Sequence, residues 1–260
     1  MKRHVRLARL LEIVGQRGKV EVEELSAELT VSTATVRRDL DHLAEQSLLT
    51  RTRGGAVASS VSYDLPLRYK SGRHAPQKSR IATEVAALVP PGAVVGLNGG
   101  TTTTEIARVL STRRDLTTRD GPGLTVVTNA LNIAAELAVR RHLKLVVTGG
   151  VARPHSFELT GPLATKVLSE IALDLVILGV DALDPDGGAF AHHEGEANIN
   201  RLMVRRGTRV VVAADSSKLG LHAFARICEI GAVHTVVTDA EVPADLKRRF
   251  EAAGVDLRAV

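Results

Sequence analysis

The sequence predicts a two-part α/β chain, with a small helical head and β wing ahead of a larger domain built on a mostly parallel sheet. Three observations carry this prediction. Helical apolar spacing dominates residues 6–43, six short apolar runs recur between residues 93 and 237, and the charge is split between the two parts. Residues 1–80 hold 15 Lys and Arg against 9 Asp and Glu, an excess of six, whereas residues 81–260 hold 19 against 20. The basic excess therefore sits at one end, as expected where only that end meets a polyanion. A solvated basic surface would give the same count, so the charge needs a motif beside it.

The head opens with residues 6–16, where Leu7, Leu10, Leu11 and Val14 share one helical face and Gly18 stops the helix. A second short helix is expected over residues 21–29, with Val22, Leu25 and Leu29 inward. Glu21, Glu23 and Glu24 then lie in its first turn, where the helix dipole favours acids. Such an acidic helix suits scaffolding better than phosphate contact. The third helix follows a turn, Thr30-Val31-Ser32, with the Ser32 hydroxyl as N-cap. At about 100° per residue, Val36, Leu40 and Leu43 gather on one face. Arg38 lies opposite, and Thr35 and Arg37 lie on the flanks. Such a helix offers Arg38 and Thr35 to base edges and Arg37 and Thr33 to phosphates, because the guanidinium fork matches both guanine O6/N7 and phosphate oxygens. An ordinary surface helix with an Arg/Asp cluster around Asp39 is the competing reading.

A hairpin is expected over residues 47–56, with Arg51 and Arg53 flanking the turn and Gly54-Gly55 allowing close approach to a sugar-phosphate strand. Helices plus wing make a winged helix-turn-helix over residues 1–57. Residues 58–75 carry Ser, Pro and Gly without a period and are expected to be a linker, and residues 76–260 form the second domain.

In that domain a helix over residues 81–88 precedes strands at 93–97, 124–127, 143–147, 175–178, 210–213 and 235–237. Small polar residues follow each strand. They are Asn98-Gly99-Gly100-Thr101-Thr102-Thr103, Thr128-Asn129, Thr148-Gly149-Gly150, Asp181 and Asp215-Ser216-Ser217-Lys218. Ligands of open α/β sheets bind outside the carboxyl ends of strands, so these residues are expected to converge on one pocket. Gly100 to Thr103 entering a helix suits a phosphate, Lys218 adds a positive charge, and Asn129, Asp181 and Asp215 suit sugar hydroxyls.

No dinucleotide, nucleotide or hydrolase signature occurs, so no cofactor is expected. His192-His193-Glu194 looks metal-like, yet adjacent side chains point apart, and no metal site is expected. The single cysteine, Cys228, has no evident base beside it and is expected to be a buried small residue. One cysteine, the absence of a run of about 18 apolar residues and a first segment interrupted by Arg6 and Arg9 lead to the expectation of a cytoplasmic protein without targeting segment or membrane partner. Aromatic residues are 2% of the chain and tryptophan is absent, which argues against base stacking on single strands.

The pattern V-S-x-x-T-V-R-R-D-L, followed about a dozen residues later by R-x-R-G-G-A, resembles the DNA-binding end of the DeoR family of bacterial transcriptional regulators. The resemblance continues through Gly100-Thr101-Thr102, the Val126 to Asn129 run, Gly149-Gly150, Gly161-Pro162-Leu163-Ala164, Glu196-Ala197 with Asn200-Arg201, and Asp215 to Lys218. It implies operator binding by Ser32, Thr33, Thr35, Arg37 and Arg38. It also implies a sensor domain related to ribose-5-phosphate isomerase, glucosamine-6-phosphate deaminase and CoA-transferase folds, with phosphorylated sugars as effectors and Glu196 in the pocket. Two positions depart from the family pattern. Asn98 stands where Asp is common, and Ala189-Phe190-Ala191 stands where a Thr or Ser usually follows Gly187-Gly188. The expectation is therefore a non-enzymatic regulator of carbohydrate genes, a repressor acting as a homodimer or homotetramer on double-stranded operator DNA under control of a sugar phosphate. A phosphosugar isomerase or deaminase with an attached DNA-binding head is the alternative.

Overall fold

The computed structural model describes residues 2–46, 48–58, 67–70, 73–116 and 123–260. The chain divides into two compact units, Met1–Arg73 and His74–Val260.

The first unit begins with α1 (Arg3–Arg17), β1 (Lys19–Glu21), α2 (Val22–Leu29) and α3 (Thr33–Glu45). It continues through β2 (Leu49–Arg51), β3 (Gly55–Ala58) and α4 (Leu67–Lys70). Helix α1 stops where Gly18 takes φ 73°, and the Gly18 N–H returns to the Val14 carbonyl at 2.9 Å. The turn between α2 and α3 uses Thr30 in the left-handed region at φ 53°. The Ser26 hydroxyl donates to the Val31 carbonyl at 2.6 Å and holds the turn shut. Leu10, Ile13, Leu25, Val36, Leu40 and Leu43 from the three helices fill the core of this unit.

Two details differ from the sequence expectation. Residues 19–21 form a third strand, pairing antiparallel with β3 in the order β1-β3-β2, so Glu21 precedes the second helix as its extended N-cap residue. Strand pairing outcompetes the extra helical turn because Val20 is buried against Ala56. The 58–75 stretch includes a helical turn, α4, whose Tyr69 is buried and donates its hydroxyl to Gln46 Oε1 at 2.8 Å. Residues 59–66 and 71–72 of that stretch, and Ser47 at the start of the expected hairpin, lie outside the described residues.

The second unit opens with α5 (Ala75–Ala87), β4 (Val94–Leu97), α6 (Thr101–Thr112), β5 (Thr125–Thr128), α7 (Leu131–Leu137) and β6 (Lys144–Val147). A small hairpin, β7 (Val151–Ala152) and β8 (Leu159–Thr160), leads to α8 (Pro162–Ser169) and β9 (Leu173–Leu178). Then come β10 (Ala182–Asp184), β11 (Gly188–Ala191), α9 (Glu194–Arg206), β12 (Gly207–Ala213), β13 (Ala225–Cys228), β14 (Thr235–Thr238), α10 (Ala244–Ala252) and β15 (Asp256–Ala259). No helix among the described residues is long and apolar enough to cross a membrane.

Seven strands form one parallel sheet in the order β15-β14-β12-β9-β4-β5-β6. Successive residues alternate between its faces. Leu175 and Ile177 join Ile81, Ile106, Leu110 and Ile133 on one side, while Val176 and Leu178 join Leu168, Met203 and Phe250 on the other. Helices therefore cover both faces, which is why the strands are written as continuous apolar runs. All six expected strands are present. The edge strand β15 and the antiparallel pieces β7, β8, β10, β11 and β13 are additions to the six expected strands. The expected helix at 81–88 begins earlier, at Ala75, because its amphipathic face extends back to buried Lys78.

The chain runs outward from β4 through β5 to β6, then returns to build β9, β12, β14 and β15 on the other side. The order reverses between β4 and β9. In open parallel sheets such a reversal leaves a crevice at the carboxyl ends of the two strands.

Candidate functional site

In the first unit the exposed face of α3 is organised from its cap. Ser32 Oγ accepts from the Thr35 N–H at 3.2 Å and shares a 2.9 Å hydrogen bond with Thr35 Oγ1. Both hydroxyls are thereby oriented at the start of the helix, with Thr33 exposed between them. Asp39 is buried and receives Arg6 Nε of α1 at 2.5 Å, with Arg3 Nε 3.7 Å away. The competing Arg/Asp cluster is thus real, but it draws its arginines from α1 rather than from α3. Arg38 is exposed and has no ion pair or hydrogen bond among the described residues. Arg37 meets Glu23 Oε1 of α2 at 3.8 Å with both side chains more than half exposed, a contact of little energy.

The two wing arginines differ. Arg51 Nε donates to Asp41 Oδ1 at 2.7 Å and its Nη1 donates to the Gly55 carbonyl, which ties the wing to α3. Arg53 is exposed and unpaired among the described residues. The expected reason for Gly54-Gly55 also changes at Gly55. A Cβ there would stand 1.8 Å from the Val20 carbonyl oxygen, so the glycine is required by the close β1–β3 pairing.

In the second unit the β4–β9 crevice is bridged by Asn98. Its Nδ2 donates to the Gly179 carbonyl at 2.9 Å and its Oδ1 accepts from the Gly179 N–H at 2.7 Å. Through this reciprocal pair, which uses one of its two amide hydrogens, Asn98 ties the two strand ends together. Gly100 follows at φ 140° and starts α6, where Thr101 is half-buried and Thr102 and Thr103 are buried. Thr103 Oγ1 and Thr104 Oγ1 both donate to the Gly100 carbonyl, at 3.1 and 2.6 Å. With those hydroxyls turned back, this helix start offers its first backbone N–H groups and the hydroxyls of Thr101 and Thr102.

Asn129, at the end of β5, is fully buried, and its Nδ2 donates to Glu158 Oε2 at 3.0 Å and to the Leu159 carbonyl at 3.3 Å. Its Oδ1 is buried without a hydrogen-bond partner. Glu158 is itself buried and packs on the β4–α6 loop so closely that a Cβ on Gly99 would lie 2.4 Å from its Cγ. The first-turn residue Glu196 of α9 receives Arg153 Nη1 at 2.5 Å, and Asp181 Oδ2 accepts from the His192 N–H at 2.9 Å. Burial above all, reinforced by the nearby Glu196 and Asp181 carboxylates, pushes the Glu158 carboxyl up to about 8, against the opposing pull of the Asn129 hydrogen bond and Arg153.

The structure thus brings Asn98, Gly100 to Thr103, Asn129, Asp181 and Glu196 together around the switch point. Thr128 is buried beneath them and accepts from the Ala130 N–H at 3.1 Å. Gly150 serves packing, since a Cβ would lie 2.7 Å from the Thr160 carbonyl oxygen, and Gly149 precedes it at φ 69°. Asp215 accepts from Ser217 Oγ within its own turn, and half-buried Lys218 closes that turn through its N–H to the Asp215 carbonyl at 3.0 Å. These two stand at the end of β12, the neighbour of β9. Glu158 and Arg153 escape sequence reasoning. Both lie in the 153–158 loop that turns through Phe157 at φ 61°, and neither follows a strand of the seven-stranded sheet. Cys228 is an unpaired thiol that burial pushes up to about 11, so it is a poor nucleophile near neutral pH.

Comparison with known proteins matches both parts. Residues 6–61 match the family model of the DeoR-like helix-turn-helix domain, and residues 73–240 match that of the DeoR C terminal sensor domain. The glycerol-3-phosphate regulon repressor of Escherichia coli K12 is 32% identical over 246 residues, covering 95% of this chain and 94% of that protein. The HTH-type transcriptional regulator GlpR of Haloferax volcanii is 35% identical over 251 residues, covering 96% and 95%. The L-fucose operon activator of Haemophilus influenzae is 30% identical over 244 residues, covering 93% and 94%. Among solved structures, a ribose-5-phosphate isomerase in complex with phospho-erythronic acid aligns with 55% of this chain and 52% of its own, at TM-score 0.40 and 18% identity. The full-length sorbitol operon regulator SorC from Klebsiella pneumoniae aligns with 84% and 90%, at TM-score 0.37 and 13% identity. With a winged head and a parallel-sheet sensor each matched by its own model, the chain belongs to the DeoR family of DNA-binding transcriptional regulators.

Proposed function

We propose that this protein is a cytoplasmic repressor of carbohydrate metabolism genes that binds operator DNA as a homo-oligomer and is released by a phosphorylated sugar. The observation that carries the effector reading is the start of α6 beside the β4–β9 switch point, where backbone N–H groups meet polar residues from the ends of β5 and β9 and the first turn of α9. Two of the relatives named above are a repressor of a glycerol-3-phosphate regulon and an activator of an L-fucose operon, which supports the metabolic assignment. Ser32, Thr33, Thr35, Arg37 and Arg38 would contact the operator, with Arg53 and Gly54 of the wing on the backbone. One α3 reads only a few base pairs, so paired half-sites supply the specificity and an oligomer supplies the pair. Effector binding acts through its differential affinity for the DNA-bound and free arrangements.

Gel-shift titration with the purified chain tests both halves. Arg38→Ala is expected to weaken operator binding and blur sequence preference, while Lys218→Ala keeps operator binding and loses the response to a sugar phosphate. Unchanged operator affinity in Arg38→Ala would remove α3 as the reading helix. The same preparation should not turn over ribose 5-phosphate or glucosamine 6-phosphate, and measurable turnover would restore the isomerase or deaminase alternative.

A further inference from the structure

The switch-point site is richer in acceptors than a phosphate needs. Asn129 is fully buried, its Nδ2 is committed to Glu158 and Leu159, and its Oδ1 has no partner. Beside it the Glu158 carboxyl rests on Gly99, one residue before the loop that starts α6. The charged groups acting on Glu158 are the carboxylates of Glu196 and Asp181 and the guanidinium of Arg153, and the Arg153 Nη1 is already bound to Glu196. A buried acceptor costs free energy until a donor meets it, and here one guanidinium, bonded to Glu196, stands against the carboxyls of Glu158, Glu196 and Asp181. A phosphate at the start of α6 would add a further negative neighbour to Glu158. A ligand that brings an ammonium with its phosphate would cancel that charge and supply the missing donor.

We infer that the effector is an amino sugar phosphate, its phosphate on the first N–H groups of α6 and its protonated amine between Glu158 and Asn129 Oδ1. This rests on the phosphorylated-effector reading above and narrows it. The site distinguishes a cationic amine from a hydroxyl or an acetamido group at the same position, because only the amine adds positive charge beside Glu158. On binding, the amine favours the ionised carboxylate, so Glu158 gives up its proton to solvent.

The test is calorimetry on the full chain with glucosamine 6-phosphate, glucose 6-phosphate, N-acetylglucosamine 6-phosphate and free glucosamine, each near pH 7 in two buffers of different ionisation enthalpy. The amine ester should bind roughly tenfold or more tightly than the other two esters, about 1.4 kcal/mol, with proton release seen among the esters only for the amine. Glu158→Gln should bring the three ester affinities to within about twofold of one another while phosphate-ester binding persists. The proton count on the unaltered chain stands as a second readout if that variant fails to fold. Equal affinities for the three esters, or no proton release with the amine, overturn the inference and leave the phosphorylated-effector reading in place. Binding of free glucosamine with no affinity for any phosphate ester keeps the amine site and overturns the phosphate. No binding by any of these compounds at millimolar concentration overturns both.

Discussion

Each unit buries carboxylates, and Asp39 in the first and Glu158 in the second are treated in opposite ways. Asp39 in the helical head is met by Arg6 at 2.5 Å and by Arg3 nearby, so its charge is matched within the unit. Glu158 in the sheet domain is met by an amide, two further carboxylates and one guanidinium that is bonded elsewhere, and its proton is held up to about pH 8. The first arrangement is that of a fold contact. The second is a polar site whose balance depends on something added from outside, which is how binding sites store part of their affinity.

Breaking the matched pair should give the largest effect. Asp39→Ala removes a buried carboxylate from the largely buried Arg6 guanidinium and is expected to destabilise the head by about 3–5 kcal/mol, read as a lower denaturant midpoint together with lost operator binding. A change within about 0.5 kcal/mol would mean the pair is a solvated contact and would erase the contrast.

The unmatched carboxyl should respond to pH. Because the folded Glu158 holds its proton up to about 8 and an unfolded glutamate up to its ordinary value of 4.5, its contribution is fully present below 4.5 and is lost as pH rises toward 8. The slope inside that window approaches about 1.4 kcal/mol per pH unit. Glu158→Gln should flatten it, as measured by thermal denaturation between pH 5 and 8, and an unchanged slope would assign the pH dependence to other groups.

Arg38→Ala should cost roughly 1–3 kcal/mol of operator binding, with a smaller loss on non-cognate DNA, checked by titration against both sequences at fixed salt. The smallest effect is expected at the exposed Arg37–Glu23 contact. Glu23→Ala should leave stability within about 0.5 kcal/mol and modestly strengthen DNA binding by freeing Arg37, with a steeper salt dependence as the readout.

Most of the fold was legible because its signals are local or periodic. The Ser32 cap, the Val36-Leu40-Leu43 face and the six apolar strand runs each depend on residues within a few positions of one another. What escaped depends on distant partners. Lys19–Glu21 is too short to show an alternation and becomes a strand only because β3 lies beside it, and Tyr69 orders a turn of the expected linker through Gln46. Arg51 looked equivalent to Arg53, and only the position of Asp41 and Gly55 separates a wing brace from a free cation.

The same division runs through the candidate sites. Hydroxyls and arginines on α3 and small polar residues after each strand of the large sheet can be read from the chain, since backbone period and capping chemistry place them there. That Asn98 pairs with Gly179, and that Glu158 comes to rest on Gly99 beside the open acceptor of Asn129, depends on the folded arrangement. Charge balance inside a protein depends on which groups burial brings within a few ångströms, and no spacing along the chain encodes that when a loop closes over a sheet.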